Sequence, residues 1–129
     1  SLSSPEIADP LNRVRHPFNV NSLALAAAEA ARDDCAHIEQ SVALNAREMK
    51  RLCAAFDAAG LKWLPSAGNF ISVEIGNAAA AYQALLRRGV IVRPMAGYGL
   101  PSYLRVSVGL AEENSRFLIA LDEYLEEAR

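Results

Sequence analysis

The chain has 129 residues and a mass of 13.9 kDa, enough for one domain and too little for two independent cores. Its 52% hydrophobic residues, 22% charged residues and formal net charge of −2 exclude a disordered chain and give no support for binding nucleic acid or an anionic membrane. No apolar run reaches the roughly 18–20 residues of a membrane span, and with Ser1 where an initiator Met would stand the chain reads as a piece of something longer.

Pro5, Pro10 and Pro17 punctuate the first twenty residues, so a short helix within Glu6–Arg15 is expected to stop at Pro17. Asn21 or Ser22 can cap a helix through the alanine-rich Leu23–Ala31. A longer helix follows from about Asp34 to Ala59, with a predicted buried stripe of Ile38, Val42, Asn45/Ala46, Met49, Leu52/Cys53 and Phe56, and Gly60 ends it. Leu61–Leu64 reads as a short strand, Pro65–Gly68 as a turn, and Asn69–Ile75 as a strand alternating Ile71, Val73 and Ile75 against Phe70, Ser72 and Glu74. Asn77 can cap a helix over Ala78–Arg88, closed by Gly89. Val90–Arg93 and Tyr103–Val108 are predicted strands on either side of a loop holding Gly97, Tyr98 and Gly99. The last helix, Ala111 to about Ala128, opens with Glu112 and Glu113, well placed for the helix dipole, and its predicted stripe is Phe117, Leu121, Tyr124/Leu125 and Ala128. Alanine supplies 24 residues, which points to close helix packing. The expected fold is α+β, a small, mainly antiparallel sheet of about four strands with helices packed on one face.

Cys35 and Cys53 are the only cysteines. On one helix they stand about 27 Å apart at 1.5 Å per residue, beyond the roughly 7 Å Cα limit of a disulfide. Two free thiols suit a reducing cytoplasm. No Cys/His metal spacing, phosphate loop, paired-carboxylate motif or Ser/His/Asp set is present.

Arg93 and Arg105 are the candidates for binding chemistry. If Leu104, Val106 and Val108 face the helices, Arg105 and Ser107 face away from them. A guanidinium holds a carboxylate or phosphate through paired hydrogen bonds, so two of them at the mouth of one loop suit an anionic substrate. Simple solvation, or pairing with a surface acid, remains the alternative. Asn69 opens a strand after a turn, where it is either turn chemistry or a ligand contact. His16 and His37 have no partners at catalytic spacing. The only lysines, Lys50 and Lys62, lack the apolar or cation-rich setting of a Schiff-base lysine. Asp122, Glu123, Glu126 and Glu127 read as a solvated helix end.

An ordered series of motifs then carries a resemblance. Arg15-His16-Pro17-Phe18-Asn19-Val20-Asn21, Pro65-Ser66-Ala67-Gly68-Asn69-Phe70, Arg88-Gly89-Val90-Ile91-Val92-Arg93-Pro94, Tyr98-Gly99-Leu100-Pro101 and Leu104-Arg105-Val106-Ser107-Val108-Gly109 resemble the C-terminal small domain of histidinol-phosphate aminotransferases. Glu113-Asn114 and Phe117 extend the match into the last helix. The resemblance implies a fold-type I, pyridoxal-phosphate-dependent enzyme, usually a homodimer, that exchanges an amino group between glutamate and imidazole-acetol phosphate in histidine biosynthesis. It implies that Arg105 holds the phosphate of histidinol phosphate or, in the other half-reaction, the α-carboxylate of glutamate, with Arg93 near the phosphate and Asn69 a further substrate contact. It also implies that residues 1–20 connect to an N-terminal large domain and residues 21–129 form the small domain. The Schiff-base lysine and the cofactor-binding residues belong to that large domain, so no catalytic, cofactor-binding or metal-binding residue is expected in this chain. By itself it is expected neither to bind pyridoxal phosphate nor to transaminate. Related aminotransferases for aromatic amino acids, a threonine-phosphate decarboxylase, or a non-catalytic interaction module are the rival readings.

Overall fold

Short polar side chains set the helix starts. In the computed structural model, which describes residues 3–16 and 20–128, the side chain of Asn21 accepts the Ala24 N–H at 2.8 Å and that of Asn77 accepts the Ala80 N–H at 3.1 Å. Each satisfies one of the unpaired donors of a first helical turn. The chain divides into two units, Ser1–Ile38 and Glu39–Arg129. The first holds α1 (Pro5–Val14), α2 (Ser22–Asp33) and the opening of α3 (Cys35–Ala58). Asp34 interrupts the helices, and its carboxylate accepts the His37 N–H at 3.0 Å to start α3. Neither α1 nor α2 buries a residue. Pro17, the expected stop for the first helix, lies outside the described residues.

The second unit is the α+β body. Its strands are β1 (Trp63–Leu64), β2 (Phe70–Glu74), β3 (Arg93–Pro94) and β4 (Tyr103–Ser107), in the order β1-β2-β4-β3 with every pair antiparallel. Helices α4 (Ala78–Arg87) and α5 (Ala111–Glu127) complete it. Ile71 and Val73 of β2 and Leu104 and Val106 of β4 are all buried in one core with Leu52 and Phe56 of α3, Ala81 and Leu85 of α4, and Phe117 and Leu121 of α5. Each wholly buried large side chain contributes about 1.5–3 kcal/mol. Phe56 and Phe117 meet edge to face, with centroids 6.2 Å apart and planes at 82°. Arg88, just past α4, donates to Glu123 at 2.9 Å and also to Glu127. The acidic end of α5 is therefore paired to α4 rather than merely solvated.

Several expectations need correction. The upper part of the α3 stripe does not bury, since Ile38 is 46% and Val42 63% exposed. The buried residues of this 24-residue helix are Glu48, Leu52 and Phe56, so its contribution to the core comes from its C-terminal half. They include an acid, Glu48. The strand expected at Val90–Arg93 reduces to Arg93–Pro94. Val90 and Val92 are buried around an exposed Ile91, so the alternation reports burial without a hydrogen-bonded ladder. The strand expected at Leu61–Leu64 likewise shortens to Trp63–Leu64, and Ala128 is exposed past the end of α5.

Candidate functional site

Alternation along β4 decides which side chains leave the core. Leu104 and Val106 are buried while Arg105 is half-buried and Ser107 exposed, so the latter two lie on the face away from the core helices. Register then brings neighbours beside Arg105. Its partner across β2 is Ser72, and its partner across β3 is Arg93. Residues directly opposite share a face, with Cα atoms about 4.5–5.5 Å apart. The structure thus places the two candidate arginines side by side on one sheet face.

Like charges directly opposite destabilise a sheet, yet among the described residues no carboxylate pairs with either guanidinium. Glu74, the acid farther along the same face of β2, accepts from the Ser102 hydroxyl at 3.4 Å. The Arg105 guanidinium carbon sits 4.9 Å from the centre of the Phe70 ring, a cation–π contact that fixes the plane of the fork. The Nε of Arg105 is buried and has no hydrogen-bond acceptor. An unmet buried donor of this kind costs about 1–3 kcal/mol. A planar fork held by a ring, a second cation opposite and an unmet donor together suit one ligand chemistry, a carboxylate or phosphate.

Asn69 lies elsewhere. It precedes β2, its carbonyl accepts the Val108 N–H at 2.8 Å, and with Ser41, Leu44, Asn45 and Gly109 it lines a cavity of about 230 Å³. Sheet alternation turns it toward α3, away from the arginine face. His16 and His37 are exposed. Cys35 and Cys53 are both free, and burial together with the nearby Asp57 carboxylate raises the Cys53 thiol pKa. Among the described residues no cluster of His, Cys, Asp or Glu can hold a metal ion, and no helix is long and apolar enough to cross a membrane.

The family model described as "Aminotransferase class I and II" matches residues 1–121. The chain belongs to that family. Histidinol-phosphate aminotransferase 2 of Pseudomonas aeruginosa is 61% identical over 97% of this aminotransferase-family chain, which spans 34% of that relative's length. The histidinol-phosphate aminotransferase of Clostridium acetobutylicum superposes with a TM-score of 0.83 at 26% identity, covering 95% of this chain and 38% of that one. The L-threonine-O-3-phosphate decarboxylase of Porphyromonas gingivalis shares the fold, with a TM-score of 0.72 at 23% identity, covering 97% of this chain and 40% of that one. The chain therefore spans about a third of the length of the curated relatives it matches. A structure of histidinol-phosphate aminotransferase from Sinorhizobium meliloti, similar to this chain with a TM-score of 0.75 at 26% identity and covering 99% of this chain and 36% of that one, holds pyridoxal-5'-phosphate. Neither lysine of this chain has the setting of a Schiff-base lysine. Lys50 and Lys62 are both exposed, and a Schiff-base lysine needs an apolar or cation-rich pocket to be unprotonated at neutral pH.

Sequence reasoning missed Glu48 and Asn114 as a buried polar pair. Their positions lie 66 residues apart and meet at 3.0 Å. The available signal was helical spacing: Asn114 stands three residues before Phe117 and seven before Leu121, on the buried stripe of α5.

Proposed function

We propose that this chain is the substrate-anion side of a histidinol-phosphate aminotransferase. The full-length protein transfers an amino group between glutamate and imidazole-acetol phosphate in histidine biosynthesis, using pyridoxal phosphate held by an N-terminal large domain. The observation that carries this reading is the opposed pair Arg93 and Arg105, without a carboxylate partner among the described residues, in a chain so similar to enzymes of that name. Arg105 would hold the phosphate of histidinol phosphate in one half-reaction and a carboxylate of glutamate in the other, because both present two oxygens to the same fork. Phe70 keeps the guanidinium plane fixed, and Arg93 adds the second positive charge that a dianionic phosphate favours over a carboxylate. Asn69 lies off the arginine face, so a substrate contact from it would be to a different part of the ligand, and Asn69→Ala tests that role separately. Residues 1–20 would connect to the large domain and 21–129 form the small domain of a homodimeric enzyme. Free thiols at Cys35 and Cys53 suit the reducing cytoplasm.

The test is turnover by the full-length protein. Histidinol phosphate with 2-oxoglutarate should give glutamate far faster than phenylalanine does. Preference for phenylalanine would overturn the assignment in favour of an aromatic-amino-acid enzyme, and carbon dioxide release from threonine phosphate would favour the decarboxylase. Absence of turnover with all three would leave an interaction module.

A further inference from the structure

Glu48 is 3% exposed and Asn114 2%, and neither belongs to the arginine face. The Asn114 amide has every group engaged. Its Nδ2 donates to Glu48 Oε2 at 3.0 Å and to the Gly109 carbonyl at 3.0 Å, and its Oδ1 accepts the Gly109 N–H at 3.0 Å. Rotating the amide by half a turn would set oxygen against the carboxylate and the carbonyl, so the arrangement has one orientation. Glu48 is held in turn by Arg51 Nη1 at 3.2 Å and Arg47 Nε at 3.4 Å. Arg51 continues to the Ala111 carbonyl and the Ser115 hydroxyl of α5. A Cβ on Gly109 would push against the Glu113 side chain that caps α5, which would have to shift.

This network ends beside the anion site. Gly109 follows Val108, whose N–H bonds the Asn69 carbonyl at 2.8 Å. One turn before Glu48 on α3, Asn45 donates to the Gly68 carbonyl at 3.3 Å. Helix α3 thus holds the corner before β2 directly and the exit of β4 through Asn114. The next pair along those strands is Phe70 opposite Ser107, and Phe70 is the ring under Arg105.

We infer that Glu48 and Asn114 are positioning residues for the anion site, clasping Gly109 so that Phe70 and the Arg105 fork keep one alignment. The inference rests on the reading that Arg105 holds the substrate's anion. Neither residue touches substrate. Breaking the clasp should therefore weaken anion capture while leaving turnover at saturation nearly intact.

The test uses the full-length protein with histidinol phosphate. Asn114→Ala removes three hydrogen bonds and should raise KM about tenfold, with kcat within about twofold, and should speed hydrogen exchange at the Gly109 and Val108 amides. Asn114→Asp keeps the acceptor for the Gly109 N–H but sets a second carboxylate against Glu48, and KM should rise at least as far. Adding Glu48→Gln to it supplies a donor to Asp and should bring KM part of the way back, the bond to the Gly109 carbonyl staying lost. That rescue is expected of a clasp and not of a residue that only fills space. Equal falls in kcat and kcat/KM, or an unchanged KM with a deprotected Gly109 amide, would overturn the inference. So would a double variant no better than Asn114→Asp. Should Asn114→Ala fail to fold, the Asp single and double variants carry the test. If the wild-type protein does not turn over histidinol phosphate, the functional reading fails separately. The same variants are then read by the dissociation constant for inorganic phosphate, where an unchanged value would overturn the clasp and a tenfold rise would support it.

Discussion

Phe56 and Phe117 join α3 to α5 through the middle of the core, so their coupling can be worked out in advance. Phe56 is wholly buried and Phe117 5% exposed. Changing either to Leu keeps an apolar side chain but leaves a small void, costing about 1–2 kcal/mol. The pair itself contributes more than its burial. Edge-to-face rings with centroids 4.5–7 Å apart add about 0.5–1.5 kcal/mol, and the 6.2 Å separation here lies toward the far end of that range. The expected coupling is therefore about 0.5–1 kcal/mol, and the double variant should lose less stability than the sum of the singles by that amount. Urea unfolding of the chain reads this directly, as a fall in midpoint at constant slope. By thermal melting each single variant should lose about 3–8 °C for a domain of this size. Single-variant losses that add within about 0.3 kcal/mol would refute the contact. A changed slope would refute the assumption that the variants share one unfolded ensemble.

Other outcomes follow from single residues. Arg105→Lys in the full-length protein should raise KM for both histidinol phosphate and glutamate at least about tenfold, since a point charge cannot reproduce the fork; steady-state kinetics with each substrate checks it. Gly89 and Gly60 both have positive φ, +74° and +70°, but a Cβ on Gly89 would lie 2.6 Å from Arg116 Nη2 while one on Gly60 meets nothing within 4 Å. Both Ala variants should lose about 1–2 kcal/mol from backbone strain, and Gly89→Ala should lose more because Arg116 must also release the Arg88 carbonyl; chemical denaturation of the two side by side decides. The Asn114 hydrogen bond, opposed by desolvation and helped by Arg51 and Arg47, holds the Glu48 carboxyl below its ordinary value of 4.5. A lowered native pKa gives stability that is whole above the ordinary value and lost as pH falls through the native one. Acid titration should therefore destabilise the wild type more steeply than Glu48→Gln below pH 4.5.

Much of this was legible in the sequence because local chemistry dictates it. Asn21 and Asn77 announce helix starts that the structure places there. The alternation of Leu104 and Val106 with Arg105 fixes which face of β4 carries the charge, and Gly89 marks the end of α4. What stayed hidden depends on distance along the chain. Whether Val90–Val92 finds a ladder depends on where β4 stops, and burial of alternate valines looks the same either way. The exposure of Val42 depends on which turns of α3 find core partners, which its own periodicity does not say. Glu48 reads as one more charge on a polar helix face until α5 delivers Asn114 to it. The opposition of Arg93 and Arg105 needed register, which the length of the intervening loop alone does not set.

Both margins of the sheet are unusual in the same way. β1 and β3 are the edge strands, each is two residues long, and a proline closes both, Pro65 just after the first and Pro94 within the second. Proline offers no N–H to an incoming strand. Such short, proline-limited borders are poor templates for a growing ladder, which guards against edge-to-edge aggregation. Whatever associates with this sheet finds little edge backbone to pair with and must rely chiefly on its side chains.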